Sequence, residues 1–144
     1  MRIFLDSDVV ISSFISSSGA SYYLLNNNLN ALQFYISNFS ITEIEVVTKG
    51  LNIQNKLKNL ESRINIINLD TGIDNIRNLF KEYVYDADDT HIVMGAKESK
   101  SKFLLTYNMK DYNIDLIKKD FNIIVLKPGM FIQYLRSINA VEIS

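Results

Sequence analysis

The sequence contains no cysteine, which excludes a disulfide framework and any thiolate metal site and leaves nothing that argues for secretion. It has a single histidine, His91, so a zinc site of the usual nitrogen and sulfur ligands is excluded as well. No basic-then-apolar segment opens the chain. No apolar run approaches the roughly 18 residues needed to span a bilayer. The expectation is a soluble, cytoplasmic protein without membrane contact. Excess charge of either sign is also missing: Lys and Arg number 15 against 16 Asp and Glu, a net charge of -1. Nucleic acid would therefore have to be met by a local basic patch. Proline occurs once, at Pro128, where it is placed to open a last helix. What is present is apolar residue in quantity, 47% of 144 residues, enough for the core of one domain spanning 1–144.

Short apolar runs alternate with segments of helical period. "RIFLD", "FYIS", "INIINL", "FLLTY" and "NIIVLK" read as strands, being short and rich in Ile, Val, Phe and Tyr. Between and after them, residues 19–32, 40–51, 53–64, 71–84, 88–100 and 129–138 read as helices. "NNNLN" at 26–30 reads as a helix end and loop. The alternation predicts a parallel α/β sheet covered on both faces.

Ligands of such sheets bind beyond the carboxyl ends of the strands, where the strand order reverses. Acids collect at that edge. Asp6 closes the first strand, Glu43 is expected in the first turn of the helix after "FYIS", Asp89 opens the helix "DDTHIVMGAKE", and Asp111 follows "FLLTYN" by a short loop. Four carboxylates without thiolates are the ligand set of a hard divalent ion, Mg²⁺ or Mn²⁺. Without a cation they repel one another and raise at least one pKa.

Each acid also has a purely structural use. Asp8 suits an N-cap before "VVISSF", and Asp88 with Asp89 suits a cap and a first-turn acid. Ser40 and Glu43 have the spacing of a capping box. His91 reads as a helix-surface residue or one that supports the acids, and "KESKSK" at 97–102 as a solvated helix end able to meet phosphates. Capping does not explain why acids follow the first, second and fourth strands together.

Four blocks in this order resemble the PIN domain, the fold of many bacterial toxin–antitoxin ribonucleases, including VapC-type toxins. "FLDSDVVISSFISSSGASYYLL" resembles the opening strand and helices, with Asp6 at the place of a metal ligand; "ISNFSITEIEVVTKG" resembles the Ser-then-Glu segment, with the glutamate at Glu43 and Glu45 its neighbour. "DADDTHIVMGAKESKSKFLLTYNMKDY" resembles the third block and puts Asp89, Thr106, Asn108 and Asp111 in its places; "IIVLKPGMFIQYL" resembles the closing strand, proline and helix of one branch. Two positions depart from the pattern. Asp8 stands where the family often has Asn, and Asn108 where some members have an acid, so Asn108 and Asp111 together must supply that corner.

The resemblance implies a single-domain PIN-like α/β fold, with a central, mostly parallel five-stranded sheet and helices on both faces. It also implies metal-dependent hydrolysis of RNA phosphodiesters with loss of the 3′-oxygen. Asp6, Glu43, Asp89 and Asp111 would hold Mg²⁺ or Mn²⁺, supported by Asp8, Thr106 and Asn108; Lys97, Lys100, Lys102 and Lys110 are candidates to meet RNA. A cognate antitoxin and a homodimer are implied in the same way. Three competitors stay open. "FLDSDVV" also fits the Asp-x-Asp opening of haloacid-dehalogenase-type phosphatases, with Ser37 as a second motif, although the chain is short for them. A phosphoacceptor receiver domain would use the paired acids Asp6 and Asp8, with Thr106, Lys127 and Pro128, but leave Glu43 and Asp89 idle. The third is a non-catalytic PIN scaffold that binds RNA or protein.

Overall fold

Along the first strand, β1 (Arg2–Leu5), Ile3 and Leu5 belong to one core and Phe4 to another, because successive strand side chains point to opposite faces. The computed structural model, which describes residues 1–27, 29 and 31–138, repeats this division in β4 (Phe103–Leu105), where Phe103 and Leu105 face one side and Leu104 the other. With β2 (Gln33–Ser37), β3 (Asn65–Ile67) and β5 (Ile124–Leu126) these strands form one sheet in the order β3-β2-β1-β4-β5. Every pairing is parallel, so the expected mostly parallel sheet is wholly parallel, and its central strands are apolar on both faces as such burial demands.

Helices cover both sides. The Ile3/Leu5 face carries α1 (Ser7–Ile15), α2 (Ala20–Asn26), α3 (Asn38–Gly50), α4 (Gln54–Glu61) and α8 (Pro128–Ser137), through buried residues such as Val10, Leu24, Ile44, Leu57 and Phe131. The Phe4 face carries α5 (Ile73–Phe80), α6 (Thr90–Glu98) and α7 (Ile114–Phe121), through Ile76, Val93 and Ile117. The α6 helix lies so close to β1 that a Cβ at Gly95 would enter the ring of Phe4. The glycine thus lets α6, with Asp89 at its start, approach the strand that ends in Asp6.

Several boundaries differ from the sequence reading. The helix expected over 19–32 ends at Asn26, since successive Asn residues hydrogen-bond locally and favour helix ends. "NNNLN" lies partly outside the described residues. The α3 helix starts two residues earlier than expected, with Ser37 as its cap accepting the Ser40 N–H at 3.2 Å. Ser40 and Glu43 therefore form no capping box, and Glu43 sits in the second turn. Pro128 occupies the first turn of α8 as expected. Among the described residues no helix is long and apolar enough to cross a membrane.

Candidate active site

The chain runs from β1 outward to β2 and β3, then returns to place β4 against the other side of β1. Strand order reverses between β1 and β4, which opens a crevice beyond their carboxyl ends. Asp6 is the first residue past β1, and its N–H still donates to Leu105 O at 3.0 Å. Thr106 is the first past β4. Its hydroxyl donates to Asp6 Oδ2 at 2.9 Å, and the Tyr112 phenol donates to the same oxygen at 2.7 Å.

Asp8 is not the helix cap. Asp6 holds the N-cap position of α1, without a side-chain cap bond, and Asp8 sits two residues on, in the first turn. Its Oδ2 accepts the Tyr107 N–H at 3.1 Å and the Asn108 amide at 3.0 Å. The Asn108 N–H returns to Thr106 Oγ1 at 3.0 Å, and the Tyr107 phenol is bonded to Ser21 of α2. The loop after β4 is thereby folded onto both aspartates. Asp8 Oδ1 is buried without a partner.

Glu43 reaches this edge from α3. Ser7 Oγ donates to its Oε2 at 3.1 Å, and His91 Nε2 stands 2.6 Å from its Oε1. His91 is buried on α6, which corrects the helix-surface alternative and agrees with a role in supporting an acid.

Asp88 and Asp89, adjacent in sequence, have separate environments. Asp88 pairs with Arg77 at 2.8 Å on the outer surface. Asp89 closes a 3-10 turn (Ala87–Asp89) and stands at the N-cap position of α6 but makes no side-chain cap bond. Capping therefore does not account for it. Asp111 ends a second 3-10 turn (Met109–Asp111). An isolated antiparallel bridge between Val84 and Tyr112, flanked by Tyr85 N–H to Asp111 O and Asn113 N–H to Tyr83 O, both 2.9 Å, ties that turn to the segment before Asp86. This long-range stitch brings Asp111 into the field of Asp89. Of Asn108 and Asp111, then, Asp111 is the one that acts on Asp89, while Asn108 directs its amide to Asp8.

Burial raises Asp6 above the ordinary carboxylate value; the Tyr112 and Thr106 hydroxyls lower it, and the charge of Glu43 raises it. Burial, then the charge of Asp6, pushes Asp8 up to about 7. Burial, followed by the charges of Asp6, Asp86 and Asp111, pushes Asp89 up to about 7 as well. The expected repulsion is thus present, secondary to desolvation, and Asp86 takes part in it without having been anticipated. Burial and the charge of Asp6 raise the Tyr112 phenol, so it remains a donor.

The expectation that the acids stand ready around one ion is not met in their present arrangement. Among the described residues no three Asp, Glu or His side chains are grouped closely enough to hold a metal. Each acid has its own partners instead: Glu43 is held by Ser7 and His91, and Asp8 by the loop after β4. The chemistry of the donors nevertheless fits a hard cation. All are carboxylate oxygens, three have raised pKa values, and one buried oxygen of Asp8 is unsatisfied, conditions that a divalent ion relieves.

The lysines divide. Lys100 and Lys102 precede the amino end of β4 and line a groove with Lys97, Asp120 and Phe121, at the edge opposite the acids. Lys97 lies over the Phe80 and Phe121 rings, and Lys102 over Phe103. These candidates to meet RNA thus lie away from the acids, because α6 carries the chain from one edge of the sheet to the other. Lys110, between Asn108 and Asp111, stays at the acidic edge.

A family model described as PIN domain matches residues 2–110. The chain belongs to the PIN domain family. Solved structures agree with the PIN fold: VapBC2 from Rickettsia felis, bound to a DNA fragment from its promoter, has a TM-score of 0.65 at 18% identity over 88% of this chain and 98% of that one. A toxin-antitoxin complex from Klebsiella pneumoniae has a TM-score of 0.65 at 23% identity, covering 88% and 97%. VapBC-1 from nontypeable Haemophilus influenzae has 0.57 at 15%, covering 90% and 99%. No curated protein sequence matches the chain. The PIN order β3-β2-β1-β4-β5 also excludes the receiver alternative, whose strands run 2-1-3-4-5. Around the PIN acids, sequence reasoning missed Ser7, Tyr112 and Asp86. Tyr112 directly follows the singled-out Asp111, but only the Val84 bridge turns its phenol toward Asp6.

Proposed function

We propose that this protein is a metal-dependent endoribonuclease, the toxin of a bacterial toxin–antitoxin pair. The observation that carries the reading is the crowd of carboxylates at the β1/β4 switch point, with Asp6, Asp8 and Asp89 all raised in pKa. Asp6, Glu43, Asp89 and Asp111 would hold Mg²⁺ or Mn²⁺. The ion, when bound, would polarise the scissile phosphoryl oxygen and lower the pKa of its water. The chain's own groups do the positioning. Thr106 and Tyr112 fix Asp6 from two directions, and Asn108 and the Tyr107 N–H fix Asp8. Lys110 is the lysine suited to meet a phosphate here. The structural neighbours are toxin–antitoxin complexes, which supports a small protein antitoxin as partner; a homodimer is proposed on the family resemblance alone.

The test is turnover of labelled single-stranded RNA and of a small phosphomonoester, each with Mg²⁺ and with chelator, by wild type and Asp6→Asn. Cleavage of RNA alone, dependent on Mg²⁺ and lost in the variant, is the expected result. Turnover of the monoester would favour the phosphatase reading, and no turnover of either the non-catalytic scaffold.

A further inference from the structure

Glu43 is the one proposed ligand whose two carboxylate oxygens are both engaged by side chains of the protein. Ser7, in the first turn of α1, donates to Oε2 at 3.1 Å. His91, in the first turn of α6, meets Oε1 through Nε2 at 2.6 Å. The other ring nitrogen, Nδ1, is buried with no partner. A ring hydrogen on Nδ1 alone would therefore have no acceptor and would turn a lone pair of Nε2 toward Oε1. The hydrogen belongs on Nε2, aimed at Glu43. The ring itself has little freedom: His91 is 3% exposed and packs against Phe39 of α3 at 5.7 Å between centroids. Glu43, by contrast, has a half-exposed side chain on a helix surface, with rotamers that would otherwise swing it into solvent.

We propose that His91 is a positioning residue which, together with Ser7, locks the Glu43 carboxylate at the switch point so that its free lone pairs face the cation. The inference rests on the reading of Glu43 as a ligand. Three elements meet at one carboxylate: α1 follows Asp6, α3 carries Glu43, and α6 follows Asp89. The clamp therefore sets the spacing between the parts of the site as well as one rotamer. Groups that orient a metal ligand typically contribute about 10- to 100-fold to metal affinity.

The test is Mn²⁺ binding by calorimetry, with unfolding in chelator measured alongside, for wild type, His91→Phe, His91→Gln, Ser7→Ala, Glu43→Gln and the doubles with Glu43→Gln. Phe keeps a buried ring without a donor, and Gln can place an N–H near the position of Nε2. His91→Phe is expected to weaken Mn²⁺ roughly 10-fold or more, His91→Gln to recover most of that loss, and either clamp variant to add nothing on the Glu43→Gln background. Losses that add to that of Glu43→Gln, or a His91→Phe protein binding Mn²⁺ like wild type, would overturn the clamp. Should His91→Phe not fold, Ser7→Ala with its double decides by the same criterion. If Glu43→Gln itself binds Mn²⁺ normally, it is the ligand reading of Glu43 that falls, and the clamp with it.

Discussion

Two acids at the switch point, Asp6 and Asp89, are raised in pKa in different surroundings. Asp6 follows a central strand, is partly buried, and receives the Thr106 and Tyr112 hydroxyls, which offset part of its desolvation. Asp89 starts a helix, is less buried, receives no side-chain donor there, and feels the charges of Asp6, Asp86 and Asp111. A carboxylate with donors is stabilised by the protein itself. One without them depends on a cation or a proton. The Asp6 corner is thus built by the fold, whereas on the proposed reading a cation would complete the Asp89 corner.

The largest effect should come from breaking the Asp89 corner. Asp89→Asn is expected to lower RNA cleavage about 100-fold or more, a loss of roughly 3 kcal/mol in transition-state stabilisation, while stability in chelator holds or rises because repulsion is relieved. Single-turnover cleavage and thermal unfolding of the same samples check this. Near-normal cleavage at limiting Mg²⁺ would mean that Asp89 only serves the helix start.

A smaller effect should appear in the pH dependence of the metal-free protein. Asp8 and Asp89 rise from 3.8 to about 7 on folding, so between these values the native state binds protons that the unfolded chain has released. Stability from these groups is complete below the unfolded value and is lost as pH rises through the folded one. In chelator the Tm should therefore fall as pH is raised from about 5 to about 8, and Mg²⁺ should remove most of that fall by stabilising the ionised native form. A Tm that climbs over this range in chelator would refute the charge repulsion.

The smallest effect sharpens the Asp6 corner. Tyr112→Phe removes one of two hydroxyl donors to Asp6 and should cost about 1–2 kcal/mol near pH 8 in chelator. The cost should shrink as pH is lowered and the raised Asp6 takes up a proton, and cleavage should drop only several-fold because Thr106 still holds the carboxylate. Destabilisation that stays constant as the pH is lowered would show that the phenol acts through packing alone.

The sequence by itself determined the parallel sheet with two covered faces, because short Ile-, Phe- and Leu-rich runs between helical segments cannot be buried in another way. It also determined that Asp6, Glu43, Asp89 and Asp111 lie near one sheet edge, since each follows a strand or opens a helix. Local spacing misjudged the caps. Ser37 rather than Ser40 starts α3, and Asp8 turns to Tyr107 and Asn108 instead of capping α1. It did not tell the lysines apart: α6 takes Lys97, Lys100 and Lys102 to the opposite edge from Lys110. Only the tertiary structure decided which neighbour each acid has. His91 reaches Glu43 across two helices, Tyr112 reaches Asp6 through a bridge to Val84, and Asp88 is paired off by Arg77 while Asp89 is not. The physical reason is that hydrophobic periodicity fixes where helices and strands lie, whereas hydrogen bonds between residues up to 106 positions apart depend on how those elements pack.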